Sequence, residues 1–513
     1  MSPFRNGKRR NSFVFHRGVL VVTGILVCSW GTFMTAQTCP LTRDILSRRV
    51  EASFRDPEGY VFIREGRVYR AIAPELAARL RRAEEIGLLG RLVAQEWVVG
   101  SRFVREPQLL SILERENPGW HHFAEHDPLP LITYPYEWSV SMLADAAVLT
   151  LDLQIELAQA GFSLKDATPF NVQFVGTRPI FIDLGSLDVP SRFDVWYALG
   201  QFQRLFLYPL LLARYTHWDL RSYFLSNLNG RDPLFMVRAM GRLGRWRPAL
   251  LLDVTLPWLL TEYSQSKPRA LQSPGSRISI NREPMLWNLR RLRRKVLRLA
   301  GGYRPQGVWT DYTRTCSYTD RAEDAKREFV RSVLTHEKPN WVLDLGCNTG
   351  TYSELAAELG SRVIAADQDH DAIEMLYRRL RNTGSAIWPV VLDITNPSPG
   401  IGLNNRERQP FLERARADYV LALALIHHLI VTGNLSLDRI EQLLFDISSR
   451  GIIVEFVPPA DPMFRKLTQF RSDSFEHITL SAFRRTFSQR FSIVREFPVP
   501  DSERMLFWLR RKE

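Results

Sequence analysis

Cysteine is scarce in this chain of 513 residues. There are four, Cys28, Cys39, Cys316 and Cys347, with no paired or metal-ligand spacing. That excludes a disulfide framework and a structural zinc site, predicts no metal, and fits a reducing compartment. Long apolar runs are also missing. The best candidate, Val19 to Cys28 with a weaker continuation to Met34, falls short of the roughly 20 apolar residues that a spanning helix needs. Acids are nearly absent between Asn281 and Arg304, where eight basic residues face Glu283 alone. More than half of the net charge of +13 therefore sits in one segment. This argues for a local basic surface and against a protein that binds nucleic acid as a whole. Disorder is excluded as the default by a composition of 45% hydrophobic and 24% charged residues, and the length leaves room for two or three domains.

What is present centres on Trp341 to Gly350, W-V-L-D-L-G-C-N-T-G. Trp341, Val342, Leu343 and Leu345 form the short apolar run of a parallel strand buried on both faces. Gly346 stops the run, and Gly350 opens a predicted helix over Thr351 to Leu359. A strand, a glycine turn and a helix N-terminus make a backbone surface that a ligand can approach closely. The next apolar strand ends at Asp367, 21 residues after Gly346, where a nucleotide-binding βαβ unit places the carboxylate that takes the ribose hydroxyls.

The spelling Asp344-Leu345-Gly346-Cys347-Asn348-Thr349-Gly350 resembles the first motif of class I S-adenosylmethionine-dependent methyltransferases, with Asn348 at the middle glycine position. The dinucleotide pattern G-x-G-x-x-G is absent there. From residue 303 onward the elements alternate as that family's do. A leading helix is predicted over Arg321 to Glu337, and a helix over His370 to Leu380 follows Asp367. The third strand ends at Asp393, and the fourth runs into Ile426-His427-His428-Leu429. A fifth strand ends at Pro458-Pro459, and two closing strands include an antiparallel last one. The expected fold is therefore α/β, a Rossmann-like seven-stranded methyltransferase sheet.

By this resemblance Asp344, Gly346, Asn348 and Gly350 shape the methionine and sugar side of an S-adenosyl-L-methionine pocket. Asp367 takes both ribose hydroxyls, and Asp393 faces the adenine amine. Methyl transfer to oxygen also needs a proton acceptor, and histidine titrates near neutral pH. His427 and His428 are the catalytic candidates, with Glu455 behind them; a core role for one histidine is the alternative. The absence of N-P-P-Y after the fourth strand counts against amide methylation of the adenine or glutamine type.

The first half reads differently. G-Y-V-F-I-R-E-G-R-V-Y-R-A-I predicts a hairpin about Glu65-Gly66, then a helix over Pro74 to Gly87. L-I-T-Y-P-Y-E-W-S predicts a strand leading into a long helix over Ser139 to Ala160. Asp166 and Asn171 then have the D-x-x-x-x-N spacing of a kinase catalytic loop, and Asp183-Leu184-Gly185 stands where such folds carry D-F-G. There, an acid orients a hydroxyl while the asparagine and second acid hold magnesium. No glycine-rich phosphate loop is present, and Arg70 stands where a phosphate-pairing lysine is expected. The expectation is a kinase-like α+β domain without transfer activity; a phosphotransferase acting through Asp166, Asn171 and Asp183 is the alternative.

The expected division is an arm over 1–50, an α+β domain over 51–280, a basic linker helix over 281–304 and a methyltransferase domain over 305–513. The arm, with Lys8, Arg9, Arg10 and Arg17 before its apolar stretch, reads three ways: a signal or anchor, an over-long reading frame whose true start is Met34, or a loosely packed arm. V-L-D-L-G-C-N-T-G, A-D-Q-D-H-D-A-I, A-L-A-L-I-H-H-L, E-F-V-P-P-A-D-P-M and K-D-A-T-P-F-N-V-Q-F together resemble the rhizobial NoeA-type host-specific nodulation proteins, from about residue 50 to the end. That resemblance implies methylation of a small or sugar-containing acceptor such as a nodulation signal. A cytoplasmic location follows from the need for S-adenosylmethionine. Peripheral membrane contact through residues 19–34 or the basic helix is left open, as is a scaffold role with a vestigial methyltransferase fold. The sequence is silent on oligomeric state.

Overall fold

In the computed structural model of the chain, residues 47–266, 281–306, 319–471 and 475–512 are described. Residues 1–46 of the expected arm, with its apolar stretch and Met34, and Cys316 lie outside them, as do Cys28 and Cys39.

The first half opens with strands β1 (Arg48–Arg49), β2 (Gly59–Arg64), β3 (Arg67–Ile72), β4 (Ser101–Phe103) and β5 (His122–His126). They make an antiparallel sheet of order β1-β2-β3-β5-β4. The β2–β3 hairpin turns at Glu65 and Gly66, both at positive φ (50° and 73°), a geometry that glycine takes at no steric cost. The helix Pro74–Glu85 follows, with proline in its first turn, where the missing N–H costs nothing.

The strand expected over L-I-T-Y-P-Y-E-W-S does not form. Pro135–Glu137 is instead a short 3-10 turn, because Pro135 has no N–H to give a ladder and Glu137 accepts from its own Tyr134 N at 2.9 Å. The long helix Val140–Gln159 is buried over most of its surface, which explains its weak polar face. Two short pairs follow, β6 (Ser163–Leu164) with β9 (Leu187–Asp188) and β7 (Val172–Val175) with β8 (Arg178–Phe181).

The basic helix Glu283–Gly302 packs one face into the core and leaves the other to solvent. Leu286, Leu289, Leu292, Val296 and Leu299 are all buried, in one apolar cluster with the helix Val140–Gln159. Its cations are partly absorbed as well: Arg291 and Lys295 both bind buried Asp253, and Arg293 binds Asp152.

The second half holds β10 (Trp341–Leu345), β11 (Arg362–Asp367), β12 (Ile387–Val391), β13 (Ala417–Ala422), β14 (Ser448–Phe456), β15 (Phe491–Pro498) and β16 (Met505–Arg511). Their order is β12-β11-β10-β13-β14-β16-β15. The first five are parallel neighbours, and β16 runs antiparallel between β14 and β15. This is the doubly wound methyltransferase sheet. Its chain leaves β10 toward β11 on one side and returns to β13 on the other. The switch point of the topology, and with it the ligand crevice, thus lies at the carboxyl ends of β10 and β13.

The halves are not beads on a string; the described residues form one compact unit. The helix His370–Leu380 lies against Val140–Gln159. Glu374 on it is fully buried and accepts from Ser141 N at 2.8 Å. Tyr377 donates to Asp145 Oδ2 at 2.7 Å, and Trp388 Nε1 donates to the Phe174 carbonyl at 2.9 Å. Arg414 and Glu137 form a buried ion pair at 2.5 Å.

Candidate functional site

The crevice is built first by a backbone. Gly346, Asn348 and Gly350 take φ of 71°, 50° and 88°, so every second residue of the turn is left-handed. Asparagine tolerates this region better than most residues, and its side chain fixes the turn by accepting from Thr349 N at 2.7 Å. The two glycines also answer to space. A Cβ on Gly350 would stand 2.6 Å from Leu376 Cδ1 of the helix His370–Leu380, and one on Gly346 would stand 3.3 Å from Leu425 Cδ1. The helix Thr351–Glu358 then starts at Gly350, its N-terminus at the crevice.

Three carboxylates meet this turn. Asp344, on β10, is buried and accepts from Ser353 Oγ at 2.6 Å; burial raises its pKa to about 6, with the Asp367 charge adding to the shift. Asp367, at the end of β11, accepts from Asn348 N and Asp369 N, each at 2.8 Å. Burial raises its pKa as well, against the pull of those amides. Each of its oxygens keeps a second lone pair for a ligand donor. Asp369, which the sequence reading passed over, caps the helix His370–Leu380 through Oδ1, while its Oδ2 is buried with no partner. The repeated acid in D-Q-D was its signal. Asp393 stands apart: it lies two residues beyond β12, half-buried, and closes a turn by accepting from Thr395 N at 2.9 Å and Thr395 Oγ1 at 2.6 Å.

The acids at the turn are held by amides and a hydroxyl, not by guanidinium or ammonium groups. The ligand such a pocket suits is rich in donors or positive charge. An amine, a sulfonium and two ribose hydroxyls are that kind of donor set, so the residues present fit S-adenosylmethionine.

On the β13 side, the helix Ile426–Val431 carries both histidines. His427 is fully buried, and neither ring nitrogen has a partner; burial first, then the charges of His428, Arg504 and Lys326, hold its pKa well below the ordinary value. His428 is half-buried and also lowered by burial, with its ring centroid 4.2 Å from that of His427. Burial disfavours the protonated form of both rings, most strongly at His427. Close enough for its cations to act on His427 is an ion-pair cluster whose pairing no local pattern announced. Glu455 accepts from Lys326 Nζ at 2.7 Å and from Ala424 N at 2.9 Å. Arg504 faces Glu455 at 3.6 Å and binds Asp461 at 2.7 Å. All four side chains are buried, two of each sign. Glu455, the reserve proton acceptor, is thus engaged by two cations. The quartet ties the leading helix, Asp320–Glu337, to the strand ends around the histidines.

The kinase-like residues are also brought together. Asn171 donates to Asp183 Oδ2 at 3.2 Å, and Asp166 lies near enough for the Asp183 charge to help burial raise its pKa. Arg70 of β3, however, binds Asp183 Oδ1 at 2.8 Å and Asp56 at 3.3 Å. Lys165 and Arg79 both bind Glu58 at 2.6 Å. A guanidinium rests on the acid that a kinase gives to magnesium. Among the described residues no cluster of three or more His, Cys, Asp or Glu is arranged to hold a metal ion, and no helix is long and apolar enough to cross a membrane.

No family model matches the chain. Among solved structures, the N-methyltransferase NodS from Bradyrhizobium japonicum WM9 in complex with S-adenosyl-L-homocysteine is 14% identical, with 37% of this chain and 88% of that one covered and a TM-score of 0.28. The bifunctional kinase-methyltransferase WbdD is 17% identical, with 39% and 41% covered and a TM-score of 0.27. The fold is read from the strand order itself. Similarity of sequence reaches much further: the nodulation protein NoeA of Rhizobium meliloti (strain 1021) is 33% identical over 466 residues, spanning 91% of this chain and 96% of that protein. With its turn, its sheet and nearly its whole length accounted for, the chain belongs to the NoeA family of nodulation proteins.

Proposed function

We propose that the chain is an S-adenosylmethionine-dependent methyltransferase that methylates an oxygen of a small or sugar-containing acceptor, in the modification of a nodulation signal. The observation that carries the reading is the left-handed turn Gly346–Gly350 at the switch point, with Asp367 at its base and no cation on its carboxylates. S-adenosylmethionine supplies an electrophilic methyl group. Asp367 takes the ribose hydroxyls in charge-assisted bonds, while Asp344, Gly346, Asn348 and Gly350 shape the methionine side. Asp393 stands on the adenine side. Positioning is the larger part of the task, since an in-line displacement needs the acceptor held close and aligned. The neutral imidazoles of His427 and His428 take the hydroxyl proton. The NoeA relative supports a nodulation acceptor, and the cofactor requirement supports a cytoplasmic location.

The first half serves as structure, because Arg70 fills the place of a metal on Asp183 and the glycine-rich loop is missing. Isothermal titration with S-adenosylmethionine tests the core of the reading, and absence of binding by the intact chain sinks it. Mass spectra of nodulation signals from a deletion strain test the acceptor. One species should be a methylene unit lighter than in the parent.

A further inference from the structure

The helix Leu256–Ser266 carries its apolar residues on the wrong side for a core element. Leu256, Leu259, Leu260 and Tyr263 fall at i, i+3, i+4 and i+7, one stripe of a helix, and all four are exposed. Just before it, Leu251 and Leu252 in the π-helical stretch Leu251–Thr255 are exposed too, as are Trp246 and, at 89%, Leu243. Scattered surface leucines need no explanation, but a continuous stripe extended by a neighbouring turn does.

Charge says what covers it. Arg238, Arg242 and Arg247 are exposed along the same segment. The helix Glu283–Gly302 is joined to the π-helical stretch by Arg291 and Lys295 on Asp253. On the adjoining face of that helix Arg290, Arg294 and Arg298 point to solvent at i, i+4 and i+8, and Trp287 is exposed. Asp253 is buried in those ion pairs, so Glu262 is the one exposed acid between Pro233 and Tyr263 among the described residues. Leucine and tryptophan flanked by arginine, almost without acid, is the composition of a surface that lies in a lipid headgroup layer.

We propose that this face docks on an anionic membrane, with the leucines and Trp246 entering the acyl boundary and the arginines meeting lipid phosphates. It goes beyond the methyl-transfer reading and stands without it. The basic helix takes part through its outer arginines only, since its leucines are spent in the core.

The test is co-sedimentation of the full chain with vesicles of phosphatidylcholine alone and of equal parts phosphatidylcholine and phosphatidylglycerol. The chain should pellet with the anionic vesicles, release as salt is raised, and stay in solution with the neutral ones. Leu252→Glu with Leu256→Glu, both exposed and so harmless to folding, should weaken binding by about tenfold or more, since two apolar contacts are lost and two like charges added. Arg290→Ser with Arg294→Ser and Arg298→Ser should also weaken it and flatten the salt dependence. An unchanged thermal melt confirms that the variants are folded. Three results overturn the proposal: a wild type that ignores anionic vesicles, leucine variants that pellet like the wild type (contact then lies elsewhere, residues 19–34 included), or leucine variants that turn a dimer into a monomer, which assigns the face to a second copy.

Discussion

Two acid-lined sites stand in this chain, and they are treated in opposite ways. At the end of β11, Asp367 is held by two backbone amides and keeps lone pairs for a ligand, while Asp369 leaves an oxygen buried without a partner. At the end of β8, Asp183 is held by Arg70, and the nearby Glu58 by Arg79 and Lys165. Amides fix a carboxylate without cancelling its charge; guanidinium groups fix it and cancel it. The first arrangement is open to a cationic, donor-rich ligand. The second has its acids already paired with cations. A motif's spacing alone does not separate these cases, because D-x-x-x-x-N and D-L-G are both present where a guanidinium already pairs with the acid.

The comparison breaks most visibly at Arg70. Arg70→Ala leaves Asp183 without its cation and Asp56 with Lys165 alone, and loss of one partner of a largely buried pair should cost about 3 kcal/mol of stability, read from urea unfolding. The variant should also gain a paramagnetic signal for bound manganese that the parent lacks. Manganese bound equally by the parent shows the site was never closed.

At the other site, Asp367→Ala should weaken S-adenosylmethionine binding by about 1.5–3 kcal/mol in isothermal titration, the range for hydrogen bonds to a charged group. An unchanged affinity removes Asp367 from the pocket. Asp344 sharpens the contrast through pH. Its carboxyl stands at about 6 when folded, above the unfolded value of roughly 3.9, so the folded state holds the proton more tightly. Stability from this group is therefore present below the unfolded value and lost as pH rises through about 6. Asp344→Asn should melt higher at neutral pH without ligand, by the equivalent of about 3 kcal/mol, while binding the cofactor less well. A lower melt at every pH contradicts this.

The smallest effect belongs to His427, whose shift is downward. The folded ring stays neutral while the unfolded one takes a proton near 6.5. Its contribution is present above that pH and fades below it, by up to about 1.4 kcal/mol per pH unit. His427→Phe should flatten this acid limb of the unfolding profile, and an unaltered slope means the ring is already protonated in the fold.

Local features were legible in the sequence, and long-range pairings were not. The turn could be read because glycine and asparagine are the residues that left-handed backbone favours, and the helix His370–Leu380 followed from its place after the strand that ends at Asp367. The strand expected through Tyr134 and Pro135 failed because a side chain, Glu137, satisfied the backbone that a neighbouring strand would have used. The quartet of Lys326, Glu455, Arg504 and Asp461 joins positions far apart in the chain, and no spacing rule reaches that distance. Arg70 was visible as a departure from lysine; its grip on Asp183 was not.

The helix His370–Leu380 begins just past Asp367 and spends Glu374 and Tyr377 on Ser141 and Asp145. A gene cut at residue 304 strands a fully buried glutamate on one product and unroofs the long helix of the other. Two plasmids, each supplying half, are therefore expected to fail in complementation where one intact reading frame succeeds. Ser141 and Asp145 touch no expected ligand, yet a change at either should disturb the helix that Gly350 packs against.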